Sequence, residues 1–338
     1  MNWLLPLLLG LAHGVSDASA GLLVGLLLSS NLLNGALLVL LYNGIAFGLQ
    51  PVAGLALDIW NQPRRGAALG LLCTALGLFA SLRSLTLGAL LMGIGSAFLH
   101  AGGGAVAIQA RPGRAAQIGL FAAFGVVGLA LGTLASAVFS LKTVILFILA
   151  LLIVAGWVWL WKPRLLADSH PAAADPFAST AWTAAAVLVA AVAVRSLAWT
   201  GTQTSQQAVS AFELALAAGM GKLLGGFLSD HLGWRTWSVL ALAGALGLLS
   251  LGADWTVAVL VGVALMQSLT PLSMAAMSRR MPNSPALASA LTNGLGVMLG
   301  GVAFFFLPRG WFSPIIFISA MIVSGLLYFW SLTVKYDS

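Results

Sequence analysis

Gly54-Leu55-Ala56-Leu57-Asp58, with Arg64 and Arg65 close behind, has a second version 172 positions later: Gly226-Phe227-Leu228-Ser229-Asp230, followed by Gly233 and Arg235. Each version closes a long apolar stretch, at the point where a bilayer-spanning helix would emerge into water. A charged hinge that recurs at the same place in both halves of a 338-residue chain is expected of a bundle built from two repeats.

Composition sets the solvent. Sixty per cent of the residues are hydrophobic and 7 % are charged, and the mean hydropathy is +1.03. A soluble domain carries roughly a quarter charged residues, so most of this surface must face lipid. There every backbone polar group needs an internal partner, which helices provide. The apolar runs are too long and too uniform for alternating barrel strands. The formal charge of +7 does not point to nucleic acid, because the basic residues form no patch and sit in short connections. The single cysteine, Cys73, lies within an apolar run and reads as a small core residue. The first apolar run lacks a basic leader and reads as a retained span.

Twelve stretches approach the length of about 20 residues that a span needs. They are 3–28, 32–57, 66–83, 85–108, 115–139, 142–161, 180–199, 204–228, 236–252, 255–277, 285–307 and 312–333. The expected fold is therefore an all-α membrane protein of twelve transmembrane helices in two pseudo-symmetric six-helix bundles. Residues 1–162 form the first bundle, 163–178 a polar linker and 179–338 the second. Arg64, Arg65, Arg111, Arg114, Lys162, Arg164, Arg235, Arg279, Arg280 and Lys335 fall on one side. Arg83, Lys142 and Arg309 fall on the other. That asymmetry places both termini in the cytoplasm. Tryptophans such as Trp60, Trp182, Trp255 and Trp330 lie near span ends, where an amphipathic ring prefers the interface.

The twelve spans, the two similar halves and the loop motif resemble the major facilitator superfamily of secondary transporters, over the whole chain. The motif Gly-x-x-x-Asp-x-x-Gly-x-Arg is matched by Gly226, Asp230, Gly233 and Arg235. The first version keeps Gly54, Asp58 and the Arg64-Arg65 pair, with Asn61 where the second glycine belongs. In that family the loop helps to lock one side shut during alternating access. The resemblance implies the same role here for Asp58, Arg64, Arg65, Gly226, Asp230, Gly233 and Arg235. Gly119, Gly128 and Gly132 in the fifth span are similar to the family's antiporter signature, with Thr133 in place of its proline. Small residues at such spacing also let helices pack closely. Phe98-Leu99-His100-Ala101-Gly102-Gly103-Gly104 resembles the fosmidomycin-resistance branch, with Ala101 replacing a proline. The resemblance implies a monomer of the bacterial inner membrane that moves a small-molecule substrate with protons. An exporter of an organic compound or drug is the first expectation. An uptake carrier for an organic anion and a non-transporting pigment- or lipid-binding assembly protein are the alternatives. No enzyme activity and no cofactor is expected.

Ionisable residues within a bilayer are costly and are functional candidates by default. Asp17, near the middle of the first span, has His13 four residues before it on the same helix face. Its expected role is proton carriage, with a packing hydrogen bond as the alternative. Glu213 is a second candidate for proton coupling, or else neutralises Arg195 as a structural ion pair. Lys222, without a local partner, together with Arg195 suggests contact with an anionic substrate. His100, Tyr42, Asn43, Gln267 and Asn293 complete the candidate substrate contacts, and Gln50 is a further polar residue at that depth. The Gly102-Gly103-Gly104 run follows no strand and is no nucleotide cradle. Histidines 13, 100, 170 and 231 have no metal-ligand spacing, so no metal site is expected.

Overall fold

A computed structural model describes residues 3–30, 32–160, 181–205, 209–252, 254–306 and 312–333. The expected linker at 163–178 lies outside the described residues, as do Lys162, Arg164, Arg309 and Lys335. The described chain is helical: α1 Leu4–Ser30, α2 Leu32–Gly48, α3 Gln50–Ile59, α4 Pro63–Ser81, α5 Leu85–Ala110, α6 Ala116–Ala135, α7 Leu141–Leu160, α8 Trp182–Ser205, α9 Ala211–Leu232, α10 Trp234–Leu251, α11 Thr256–Gln267, α12 Leu269–Arg280, α13 Pro285–Ser289, α14 Gly296–Phe306 and α15 Pro314–Thr333. Among the described residues, eleven segments are long and apolar enough to cross a membrane, several of them made of two consecutive helices. The chain is a multi-pass membrane protein. Helix α4 is not among the eleven; its 19 residues carry Arg64 and Arg65 in the first turn, and it packs along α5.

Local chemistry sets the helix ends and breaks. Pro63 and Pro285 open α4 and α13, where a missing N–H costs nothing. Pro51 separates α2 from α3, and Pro271 separates α11 from α12, because each ring removes the hydrogen bond four residues back. Residues Ala290–Leu295 form one π-helical turn between α13 and α14.

Large side chains such as Leu146, Ile153, Leu160, Ile315 and Leu326 point outward, as expected where the surrounding medium is hydrocarbon. The interior is close packing of small and apolar groups. One buried cluster joins Leu188, Val259, Met266, Met321 and Tyr328 from α8, α11 and α15. Another joins Leu9, Leu71, Leu99, Phe121 and Leu151 from α1, α4, α5, α6 and α7. Helices α1 and α6 touch backbone to backbone. A Cβ on Gly128 would collide with the Gly14 carbonyl, and one on Gly132 with the Ala18 carbonyl. The close approach, not a bend, is what these glycines provide. Gly132→Leu is expected to lower the melting temperature in detergent through overpacking worth about 1–3 kcal/mol or more. An unchanged melting temperature would contradict the tight α1–α6 crossing.

Candidate functional site

Two aspartates staple one end of the bundle. The N-cap residue of α6 is Ala115, which has no side chain able to cap the helix. Asp230, near the C-terminus of α9, supplies the cap from across the chain. Ala115 N donates to its Oδ1 at 3.0 Å and Oδ2 at 3.1 Å, and Ala116 N to Oδ2 at 3.1 Å. Helix α13 makes no cap hydrogen bond with the Ser284 side chain. Asp58, at the end of α3, accepts from Ala286 N at 2.9 Å and Leu287 N at 2.8 Å. Each carboxylate satisfies orphan N–H groups and sits at the positive end of a helix dipole. The motif glycines make room. A Cβ on Gly54 would lie 2.7 Å from the Ala286 carbonyl oxygen, and one on Gly226 2.7 Å from that of Ala115.

The rest of the motif shapes the loops. Gly233 turns at φ +87, and Asn61, in the equivalent place, at φ 51. Asparagine is among the few side chains that visit this left-handed region, so it stands in for the glycine. Arg235 donates to the terminal carbonyls of α15, through Nε to Leu332 O at 2.7 Å and Nη2 to Thr333 O at 3.2 Å. Arg65 lies over the Trp159 ring at 5.7 Å. Arg279 lies 3.9 Å over Trp234 and donates to Gly113 O at 3.0 Å, a further tie between distant parts of the sequence.

A cavity of about 160 Å³ lies deeper in the bundle. Its polar lining comes from His13 and Asp17 on α1, His100 on α5, Arg195 on α8, Lys222 on α9, Gln267 on α11 and Asn293 in the π-helical turn. Phe47, Trp199 and Val297 supply apolar wall. His13 and Asp17 meet as their spacing predicted, with Nε2 3.1 Å from Oδ2. The fold adds His100, whose Nε2 is 2.9 Å from that of His13 and 3.8 Å from Asp17 Oδ2. Both rings are fixed from behind. His13 Nδ1 lies 3.0 Å from Phe121 O, and His100 Nδ1 lies 2.8 Å from Ser96 O. A carbonyl can only accept, so each Nδ1 is a donor, and in the neutral rings each Nε2 is an acceptor.

Three expectations need correction. Arg195 and Glu213 form no pair. Helix α9 begins at Ala211, so Glu213 lies exposed in its first turn. There it completes a capping box, with Oε2 2.8 Å from Ser210 N while Ser210 Oγ accepts from Glu213 N at 3.2 Å. It is therefore not a buried proton-coupling group. Arg195 instead faces the C-terminal end of α11, where Nη1 donates to Met266 O at 3.4 Å and Gln267 Oε1 at 3.5 Å. Tyr42 and Asn43 do not line the cavity. Tyr42 packs with Leu22, Leu23 and Met92, and Asn43 Nδ2 donates to Val39 O. Gln50 is likewise buried outside it, against Gly294. Finally, the absence of metal-ligand spacing was misleading, because His13 and His100 are 87 residues apart in sequence yet adjacent in space with Asp17.

Among lining residues, sequence reasoning missed Ser196, Trp199 and Thr270. Ser196 and Trp199 follow Arg195 by one and four positions on the same helix, which was the available signal.

No family model matches this sequence, and no curated protein matches it. Solved structures do match in three dimensions. A major facilitator superfamily transporter, FucP, in the outward conformation superposes with a TM-score of 0.76 at 14% identity, over 98% of each chain. A variant of the E. coli fucose:proton symporter FucP superposes at 0.69 and 14% identity, over 98% of this chain and 99% of that one. A bacterial homologue of the iron transporter ferroportin, outward-facing, superposes at 0.68 and 12% identity, over 98% of this chain and 100% of that one. The chain has the fold of the major facilitator superfamily transporters.

Proposed function

We propose that this chain is a proton-coupled secondary transporter of a small organic anion, working by alternating access as a monomer in the bacterial inner membrane. With α4 counted as a span, twelve helices form two six-helix halves, and the basic end that carries both aspartate staples is cytoplasmic. In this reading the structure is the state closed on that side. Asp58, Arg64, Arg65, Gly226, Asp230, Gly233 and Arg235 then belong to the gate.

The observation that carries the proposal is the division of the cavity into two unlike walls. One holds His13, Asp17 and His100, and the other holds Arg195, Lys222, Gln267 and Asn293. A proton on His13 Nε2 would lie within hydrogen-bond reach of both His100 Nε2, at 2.9 Å, and Asp17 Oδ2, at 3.1 Å. The second wall offers two cations. The Lys222 side chain lines the cavity, where its ammonium can meet an anion. A proton and an anion can occupy opposite walls together, and this favours symport, hence uptake, over the export expected first. The likeness to a fucose:proton symporter is in the same sense. The resemblance to a fosmidomycin-resistance branch rests on residues 98–104 and Gly119-Leu120-Phe121.

The test is accumulation of labelled small carboxylates in proteoliposomes, with and without an imposed pH gradient. Gradient-driven uptake is expected, and uptake indifferent to the gradient would overturn proton coupling. Lys222→Gln is expected to weaken anion binding roughly 10- to 100-fold while the fold survives, since a hydrogen bond to a charged group contributes about 1.5–3 kcal/mol. Unchanged binding by that variant would remove Lys222 from the site.

A further inference from the structure

The cluster of His13, Asp17 and His100 has the construction of a metal-ligand set. Each imidazole donates its Nδ1 proton to a backbone carbonyl, Phe121 O for His13 and Ser96 O for His100. That is the outer contact that fixes ring orientation and raises ligand basicity in metal sites. The two Nε2 lone pairs and Asp17 Oδ2 then converge, with edges of 2.9, 3.1 and 3.8 Å. Metal–ligand bonds of about 2.0–2.1 Å separate neighbouring ligand atoms by about 2.9–3.4 Å. Two of the three edges fall in that window, and the third is within a small side-chain adjustment of it.

We propose that His13 Nε2, His100 Nε2 and Asp17 Oδ2 bind one first-row transition-metal dication such as Zn²⁺ or Co²⁺. Two imidazoles and a carboxylate select such an ion over Mg²⁺ or Ca²⁺, which take oxygen ligands. The imidazoles are 3 % and 6 % exposed and are held on packed helices, and all three ligand residues line the cavity. Lys222 and Arg195 line the same cavity and oppose a bare dication, so removing the nearer obstacle has a definite sign. The inference does not depend on the transport reading, because binding is measured on purified protein without a gradient.

The experiment is titration of the detergent-solubilised full chain with Co²⁺, followed by visible absorption. Saturation at one Co²⁺ per chain is expected, with a band distinct from that of the hexaaqua ion. His13→Gln and His100→Gln should each weaken binding by at least about tenfold. His170→Gln and His231→Gln should leave it unchanged, and Lys222→Gln should tighten it. X-ray absorption of the Co²⁺-loaded wild type should count two imidazoles, which decides the matter even if a histidine variant fails to fold. No saturable binding by the wild type, fewer than two imidazoles, or wild-type affinity in both cluster variants would overturn the site. If metal binding fails while gradient-driven uptake persists, the transport reading stands alone. If metal binds and no solute accumulates, the metal site stands alone.

Discussion

Asp17→Asn is expected to abolish accumulation of solute against a gradient while leaving exchange at equal concentrations and thermal stability nearly intact. Among the described residues, Asp17 is the only carboxylate lining the cavity, and Asp17 Oδ2 sits 3.1 Å from His13 and 3.8 Å from His100. An amide keeps the shape and can still hydrogen-bond, but it cannot take up and release a proton. Chain insertion should therefore survive and coupling should not. The comparison to make is uptake driven by a pH gradient against counterflow with no gradient, in the same proteoliposomes. Wild-type accumulation by the variant would sink the proton-carrier role and leave Asp17 as a packing group or metal ligand.

The second large effect concerns the staples. Asp58→Ala and Asp230→Ala each remove a cap that belongs to a helix more than 100 residues away in sequence, so each should shift the equilibrium toward opening at that end. A cap with its dipole interaction contributes about 1–2 kcal/mol, a factor of roughly 5–30 in the equilibrium. The two sites do not share a partner, so the double variant should add the two effects. Spin-label distances across the basic end report the populations, and binding and turnover should be measured on the same sample. A large loss of affinity at unchanged turnover and unchanged distances would contradict the gating assignment.

The sequence exposed the membrane fold because lipid leaves few alternatives: long apolar runs, charges confined to the breaks, and a motif repeated at half-chain spacing. It exposed Asp17 and His13 because four residues is one helical turn. It hid the third member of that cluster, since no local signal relates His100 to residues on another helix. Glu213 was misplaced for a different reason. The apolar run was read from 204, whereas α9 begins at Ala211, and that shift moves the carboxylate from the bundle interior to an exposed first turn. Ser210 and Glu213 already had the spacing of a capping box, so the misplaced start concealed a readable signal. Arg195 found its backbone partner in Met266 O at the end of α11, and backbone partners of that kind have no signature of their own in side-chain patterns.

The staples are blind to the identity of the residues they hold. Asp58 and Asp230 bind main-chain N–H groups at 286, 287, 115 and 116, which any residue except proline supplies. Those four positions can therefore drift among small side chains without loosening the latch, whereas neither aspartate can change without doing so. Pairwise co-variation across related sequences would accordingly carry no trace of this contact. Contact maps inferred from such co-variation would leave the closed end of the bundle unrestrained. The experimental counterpart is a proline scan of 116, 286 and 287, in which proline alone should mimic loss of the matching aspartate while alanine, serine and glycine should not.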